Sequence, residues 1–469
     1  MQPGLKNSFA QDLPELSKKC IPSGFQNSEI ILKNYELGEE LGFSKKFLDS
    51  DKCLNVFSGN ALLRDSIPIA QAYSGHQFGQ FNPNLGDGRA ILLGEINNLD
   101  IQLKGIGQTP FSRRGDGKSA LSPVLREYII SEFMNAAGIP TTRALLALKT
   151  NESVTRDTKL PGGILARVAN SHIRIGTFEF AAMQGTQILK KLADYSILRH
   201  YPELKNTNER YIKFFAAVCE SQTRLVSKWM NIGFIHGVMN TDNCLISGET
   251  IDYGPCAFMD EYNPDKVFSS IDNFGRYSFS NQSKVIIWNL AQLASALLML
   301  HGDDQNTLEI FQEIINETSK YLSQEYYAQF ASKLGIVTPD EKDKRLVDDL
   351  LKILAGETAD FTNFFSKITN DEKPFKFMMK TAYLTWEKKW QNRVKNIPDA
   401  KPTMRQANPV IIPRNHIVEK AIQSALSGDF EPFYSLNEAL QKPYDYKGQC
   451  NFLNAPKEDE KVTATFCGT

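Results

Sequence analysis

The stretch His236–Gly254, HGVMNTDNCLISGETIDYG, limits the fold more than any other part of the chain. Its spacing predicts a loop, a short strand, a two-residue turn at Ser247-Gly248, a second short strand, and then Asp252-Tyr253-Gly254. Pairing Ile246 with Glu249 would set Leu245 against Thr250, Cys244 against Ile251, and Asn243 against Asp252. Residues opposed on one face of such a hairpin lie about 5 Å apart at Cβ. An amide oxygen and a carboxylate would then stand side by side, which suits a hard cation needing oxygen ligands. An ordinary surface hairpin with polar ends satisfies the same pattern.

The rest of the chain narrows what that hairpin could serve. A net charge of −1 across 469 residues argues against a dedicated nucleic-acid or anionic-membrane surface, though local basic clusters could still meet a phosphate. The seven cysteines (Cys20, Cys53, Cys219, Cys244, Cys256, Cys450 and Cys467) form no CxxC pair and read as reduced thiols. The N-terminus lacks the apolar core of a signal peptide, and Asp12 and Glu15 count against a mitochondrial presequence. Val285–Leu300 is broken by Asn289, Gln292 and Ser295 and reads as a buried helix rather than a membrane span. The expectation is a soluble, cytoplasmic protein with no membrane or nucleic-acid partner.

Upstream, residues 1–53 read as an extended lead-in with a little helix near Glu36–Gly42. Gly86-Asp87-Gly88-Arg89 then precedes a strand at Ala90–Ile96, and its glycines would let backbone N–H groups approach an anion; turn chemistry alone explains them equally. Asn97-Asn98 turns the chain into Asp100–Lys104, where Gln102 and Lys104 share one face. Lys104, directly after a glycine loop, fits a lysine that meets phosphates or a solvated strand lysine. The segment GIGQTPFSRRGDGKS is a loop whose Arg113, Arg114, Asp116, Gly117 and Lys118 could hold phosphate.

A helix follows, with Ser122 expected as N-cap, Pro123 at its first position and Gly138 just past its end. Leu125, Tyr128, Ile129 and Phe133 form its apolar stripe, and Glu127 beside that stripe can point toward the strand carrying Lys104. A strand lysine paired with a glutamate on the next helix positions ATP phosphates in kinases. Arg167 and Arg174 lie among apolar neighbours, which calls for an anion or a partner carboxylate. From about Leu189 helical patterns dominate, at Lys284–His301, Thr307–Leu334, Asp340–Ala355, Glu357–Lys367, Phe375–Lys395 and Ile417–Leu426. None of the six histidines has a metal-binding spacing, and His236 reads as a packed loop residue. No G-x-S-x-G elbow or intact Walker A motif occurs.

Strands first, helices after, and a metal-type hairpin at the seam give an α+β expectation: a two-lobed protein-kinase-like fold with a strand-containing N-lobe and a mainly helical C-lobe. The boundaries expected are 1–53 for an N-terminal extension, 54–188 for the N-lobe, 189–440 for the C-lobe and 441–469 for a tail. The segments AQAYSGHQFGQF, LGDGRAILLGE, LKGIGQTPFSRRGDG, LREYIISE, ARVANSHIRIGTFE, GFIHGVMNTDN, ETIDYGP and NPVIIPRNH resemble, in order, those of the selenoprotein O family (SelO-type protein adenylyltransferases, also called YdiU). The resemblance implies a kinase-like fold and transfer of AMP from ATP to protein hydroxyls with Mg²⁺ or Mn²⁺, self-modification included. By motif it implies Gly86, Gly88 and Arg89 in the nucleotide loop, Lys104 on phosphate, and Glu127 paired with Lys104. It further implies nucleotide contacts from Asp116, Gly117, Arg167 and Arg174, metal ligation by Asn243 and Asp252, and proton acceptance by Asp242. Members often carry a cysteine or selenocysteine near the C-terminus, as Cys467 stands here, and Cys256 could be its disulfide partner.

One departure from ordinary kinases is chemical. Their H-R-D loop has an aspartate two residues after the histidine and an asparagine five further on. Counting from His236 gives Val238 and Asn243, so the amide is kept and the catalytic carboxylate is a valine. Two other readings stay open: an atypical kinase that transfers the γ-phosphoryl group, and a nucleotide-binding pseudokinase that scaffolds partners without turnover.

Overall fold

Asn97 and Asn98 both take left-handed backbone (φ 52° and 62°), the conformation a tight hairpin turn demands, and so fold Ala90–Lys104 back on itself. In the computed structural model, which describes residues 3–156, 158–302, 304–374, 378–447 and 451–466, this hairpin lies in the middle of the main sheet. The strands begin with β1 (Ser17–Lys19), β2 (Glu29–Lys33), β3 (Ile69–Gln71) and the small hairpin β4 (Gly75–Gln77) and β5 (Gln80–Asn82). They continue with β6 (Ala90–Ile96), β7 (Leu99–Lys104), β8 (Ser119–Ala120), β9 (Arg143–Thr155) and β10 (Lys159–Ala169), and end with β11 (Phe234–Ile235) and β12 (Ala257–Phe258). The main sheet runs β1-β3-β6-β7-β10-β9-β2, with β8 paired to β10 and every pairing antiparallel.

Both faces of this sheet are covered, so its central strands are apolar almost throughout. Ile91, Leu93, Ile101 and Leu103 pack against Leu37, Leu41, Phe43, Val56 and Phe57 on one side. Leu92 and Leu165 join the core of the other side with Leu125, Ile129 and Phe133 of the helix Leu121–Ala136. Residues 5–57 are therefore not an extended lead-in. They supply β1, β2 and the helices Tyr35–Glu40, Lys45–Leu48 and Asp51–Phe57, which close one sheet face.

The helix expected from Ser122 begins earlier, at Leu121 with Ala120 as cap, because Ser119–Ala120 pairs with Gly162–Gly163 and delivers the chain already turned. Its end is as expected. Gly138 (φ 71°) donates to the Asn135 carbonyl, and the Ile139 N–H donates to that of Met134, a Schellman closure with Met134 and Ile139 both buried. Beyond β10 the described chain is mainly helical, at Ile175–Gln184, Thr186–His200, Arg210–Asn231, Gln282–Leu298, Gln305–Lys333, Glu341–Gly356, Phe361–Thr369, Lys380–Val394, Ala400–Ala407, Asn415–Leu426 and Glu431–Leu440. The start expected at Phe375 lies outside the described residues. Gln282–His301 is the one helix, among the described residues, long and apolar enough to cross a membrane; its helical part Gln282–Leu298 packs against Ile175–Gln184, Arg210–Asn231 and Gln305–Lys333.

The organising stretch departs from the expected hairpin. Leu245 bridges to Arg174 and Thr250 to Thr141, while the Gly248 N–H closes a turn onto the Leu245 carbonyl. The two arms thus bond outward to neighbouring segments instead of to each other. His236 is fully buried, with Nε2 donating to the Ile251 carbonyl at 2.8 Å and Nδ1 accepting from the Val238 N–H at 3.4 Å. Cys467 and Cys450 lie outside the described residues. The described end of the tail is anchored near Cys256: Thr465 Oγ1 donates to the Pro255 carbonyl at 2.5 Å, and its N–H donates to that of Phe268 at 2.7 Å. The Cys256 thiol is buried, donates to the Tyr253 carbonyl and is pushed up to about 12 by burial.

Candidate active site

Antiparallel register sets Arg167 of β10 directly across from Gln102 of β7, with Lys104 two residues along the same face. Lys104 and Arg167 line a cleft of about 660 Å³, with Gln102 buried behind them. Every site residue expected from sequence lines it, Gly86, Gly88 and Gly117 included. Eight cationic side chains and five carboxylates are among its lining residues, a local positive excess on a chain of net charge −1.

Five of these charges are knotted together. Lys104 Nζ donates to Glu127 Oε2 at 2.6 Å and to Asp252 Oδ1 at 2.5 Å. Arg167 reaches the same two carboxylates at 3.0 and 2.9 Å and gives its other amino group to Gln102 Oε1 at 2.6 Å. Arg174 meets Asp252 Oδ2 at 3.3 Å and the Asp242 carbonyl at 2.6 Å, and its guanidinium lies 4.3 Å from the Tyr73 ring centroid. Burial alone would push the Asp252 carboxyl up, but Lys104, Arg167 and Arg174 together hold it well below its ordinary value. Asp252 also sits at φ 63°, left-handed backbone that Asp tolerates better than most side chains. Arg167 and Arg174 therefore answer both sequence readings at once: they pair with carboxylates, and those carboxylates face the cleft.

The 3-10 turn Thr241–Asn243 presents Asp242 and Asn243 to the same cleft. Burial outweighs Arg174 and pushes the Asp242 carboxyl up to about 6. Its Oδ1 is buried without a hydrogen-bond partner, and its Oδ2 accepts from Gln77 Nε2 at 3.4 Å. The β4–β5 hairpin is laid over this carboxylate so closely that a Cβ on Gly75 would stand 2.3 Å from Oδ1. The hairpin is held by the His76 N–H on Thr241 Oγ1 (2.8 Å), by His76 Nδ1 on Glu179 (2.6 Å), and by Thr241 Oγ1 on Glu179 (2.6 Å).

The donor set fits a hard divalent cation. Asn243 commits its Nδ2 to the Val238 carbonyl at 2.9 Å, which leaves the amide oxygen as the donor atom, and Asp252 supplies a carboxylate that stays ionised. No cluster of three or more His, Cys, Asp or Glu able to hold a metal occurs among the described residues. An ion here would rest on those two ligands and complete its shell with phosphate and water oxygens, as Mg²⁺ commonly does.

The glycine turns sit where the chain needs them. Gly86 (φ 69°) has the Phe111 ring where a Cβ would be, so the turn and the RRGDG loop pack backbone to side chain. Asp116 does not face the cleft as a bare anion: Arg156 grips it at 2.9 and 3.2 Å and lowers its carboxyl. Sequence reasoning missed Arg156, a lone arginine in a polar turn with no local signal. It also missed Asp87, buried 3.6 Å from Arg174, though an acid between two glycines of a candidate phosphate loop was a usable signal. Tyr73 and Gln77 were hidden in the Gly-rich approach.

Comparison with known proteins identifies the family of the chain. The family described as "Protein adenylyltransferase SelO" matches residues 4–441. The chain is 47% identical over 470 residues to "Protein nucleotidyltransferase YdiU" of Ruegeria sp. (strain TM1040), covering 99% of this chain and 98% of that one. Proteins of the same description from Lachnoclostridium phytofermentans and Bacillus mycoides are 46% and 45% identical, each over 479 residues. Those alignments take in 99% of this chain and 99% and 96% of the relatives.

Proposed function

Since the chain belongs to the SelO family of protein adenylyltransferases, and is a nucleotidyltransferase enzyme, we propose that it transfers AMP from ATP to Ser, Thr or Tyr hydroxyls of proteins and releases pyrophosphate. The observation that carries this reading is the convergence of Lys104, Arg167 and Arg174 on Asp252 in the cleft that Asp242 also lines. In this reading residues 54–188 and 189–440 are the two lobes of a kinase-like fold, flanked by residues 1–53 and 441–469, and ATP lies between them.

Cations grouped in this way stabilise charge that develops on a departing pyrophosphate. The acceptor oxygen attacks the α-phosphorus, the bond to the bridging oxygen breaks, and the hydroxyl proton passes to Asp242. With its carboxyl at about 6, Asp242 is ionised at neutral pH yet basic enough to take that proton. Glu127 fixes Lys104, and Gln102 fixes Arg167, so neither cation must reorganise when charge appears. Gly86, Gly88, Arg89 and Gly117 shape the rim around the triphosphate, and Arg156 holds the Asp116 loop in place. Asn243 and Asp252 would hold Mg²⁺ or Mn²⁺, which would supply charge neutralisation to the phosphate oxygens.

Val238, in the position of the kinase aspartate, takes the base away from where γ-transfer uses it and supports attack at the α-phosphorus. The test is to separate the nucleotide products after incubation with ATP, divalent metal and a mixed protein acceptor. Acceptor-dependent pyrophosphate is expected; ADP as the only product would make the chain a kinase, and unchanged ATP with every acceptor would favour the scaffold.

A further inference from the structure

The β4–β5 hairpin has two sides, and only one faces the nucleotide cleft. Gln77 lines the cleft over Asp242, whereas the hairpin tip at Phe78-Gly79 packs on the end of the loop that follows Asp252-Tyr253-Gly254. The Phe78 N–H donates to Asn240 Oδ1 and to the Tyr277 hydroxyl, each at 3.2 Å, and the Tyr277 hydroxyl donates to Asn240 Oδ1. This three-way lock ties the tip to a residue two positions before Asp242.

Next to the lock stands Arg276. Its guanidinium lies 4.8 Å from the Trp288 ring centroid and 5.7 Å from that of Tyr277, and a Cβ on Gly79 would be 3.5 Å from its central carbon. Its backbone is pinned by Asp272, which accepts from the N–H groups of Arg276 and Tyr277 at 3.0 and 2.8 Å. Among the described residues no ion pair joins a carboxylate to the guanidinium; it hydrogen-bonds the Tyr277 side chain, and its Nε is buried without a partner. Arg276 is not among the residues lining the nucleotide cleft, so triphosphate is not the anion it is placed to meet. From Trp288 an aromatic row leads outward: His76 at 5.0 Å and then Phe81 at 4.8 Å, the latter 45% exposed.

We propose that this surface seats the acceptor protein, with Arg276 reading an acidic side chain near the acceptor hydroxyl while the Trp288–His76–Phe81 row supports the segment's apolar neighbours. This rests on the reading of the cleft as a protein-modifying site. Charge decides the class of partner: a guanidinium stacked on an indole keeps its planar donor edge for a carboxylate, which it can grip with two parallel hydrogen bonds. The lock through Asn240 carries the segment's position to the loop bearing Asp242, so a hydroxyl beside the acidic residue is delivered to the base.

The test uses the full chain, Mg²⁺, a non-transferable ATP analogue and two pools of fluorescein-labelled peptides centred on Ser, Thr or Tyr. One pool has Asp and Glu flanks, the other Lys and Arg. Fluorescence anisotropy should show the acidic pool binding about ten-fold more tightly. Arg276→Glu should reverse that order and Arg276→Gln should abolish the preference, each variant having first been checked for an unfolding midpoint close to that of the parent. Equal binding of the two pools, or an acidic preference that survives both variants, overturns the proposal. The same pools with α-labelled ATP separate this from the parent reading. Arg276-dependent binding with no label transferred leaves the surface and removes adenylyl transfer; label transferred without charge preference does the reverse.

Discussion

Asp252→Ala removes the carboxylate shared by Lys104, Arg167 and Arg174, and its effect should be felt before any chemistry. Deleting one partner of a buried ion pair costs about 3–5 kcal/mol. The lower end applies here, because Glu127 still neutralises Lys104 and Arg167, and Asp87 stands 3.6 Å from Arg174. The left-handed backbone at φ 63° adds to the cost, since Ala tolerates it less well than Asp. At about 2.1 cal/mol/K of unfolding entropy per residue, 469 residues give about 1 kcal/mol/K, so a loss of about 3 kcal/mol lowers Tm by about 3 °C. Phosphate should replace the missing anion. Metal-free ATP at a hundred times its Kd returns about 2.7 kcal/mol, close to the whole deficit. In the parent, Asp252 competes with the nucleotide for the same cations, so without metal ATP should protect it less. Differential scanning fluorimetry in EDTA, with and without ATP, reads both effects, and turnover with Mg²⁺ should be lost. A variant as stable as the parent, or one that metal-free ATP protects less than the parent, would refute this account of the charge knot.

Glu249 is buried, accepts from the Asn170 N–H and Ser247 Oγ, and is pushed up to about 7 by burial. Between its ordinary value near 4.5 and about 7 the folded state keeps a proton that the unfolded state has lost, so its contribution to stability falls as pH rises through that window. Glu249→Gln should match the parent near pH 4 and exceed it by up to about 3 kcal/mol at pH 8, by urea titration; a variant weaker at pH 8 contradicts the burial argument. Arg156→Ala frees Asp116 and loosens the RRGDG loop, so KM for ATP should rise about ten-fold with little change in kcat; an unchanged KM would detach that loop from the nucleotide. In reduced native protein Cys256 should react with iodoacetamide far more slowly than the half-buried Cys20, as mass mapping would show; equal rates would mean that Cys256 opens to solvent.

How legible each part was depended on how local its cause is. The Lys104–Glu127 pair follows from a two-residue strand period and a helix stripe, both visible within a few residues, and the contact is present at 2.6 Å. The outward bonding of Leu245 and Thr250 was not legible, because the competing partners, Arg174 and Thr141, lie 71 and 109 positions away and leave no mark on the turn itself. The helix start moved for the same reason: Ser122 is a good cap in isolation, but the pairing of Ser119–Ala120 with β10 decides where the chain turns. Residues 1–53 read as a lead-in because their strands are short and their apolar residues scattered, and only the sheet face that they cover gives them a pattern.

The most direct measurement is to give the full chain, metal and a protein acceptor ATP labelled at either the α- or the γ-phosphate, and to count label on protein. Label from the α-position alone is the predicted result, removed by Asp242→Ala while ATP still binds. Label from the γ-position would contradict the central claim that the cations around Lys104 serve a departing pyrophosphate.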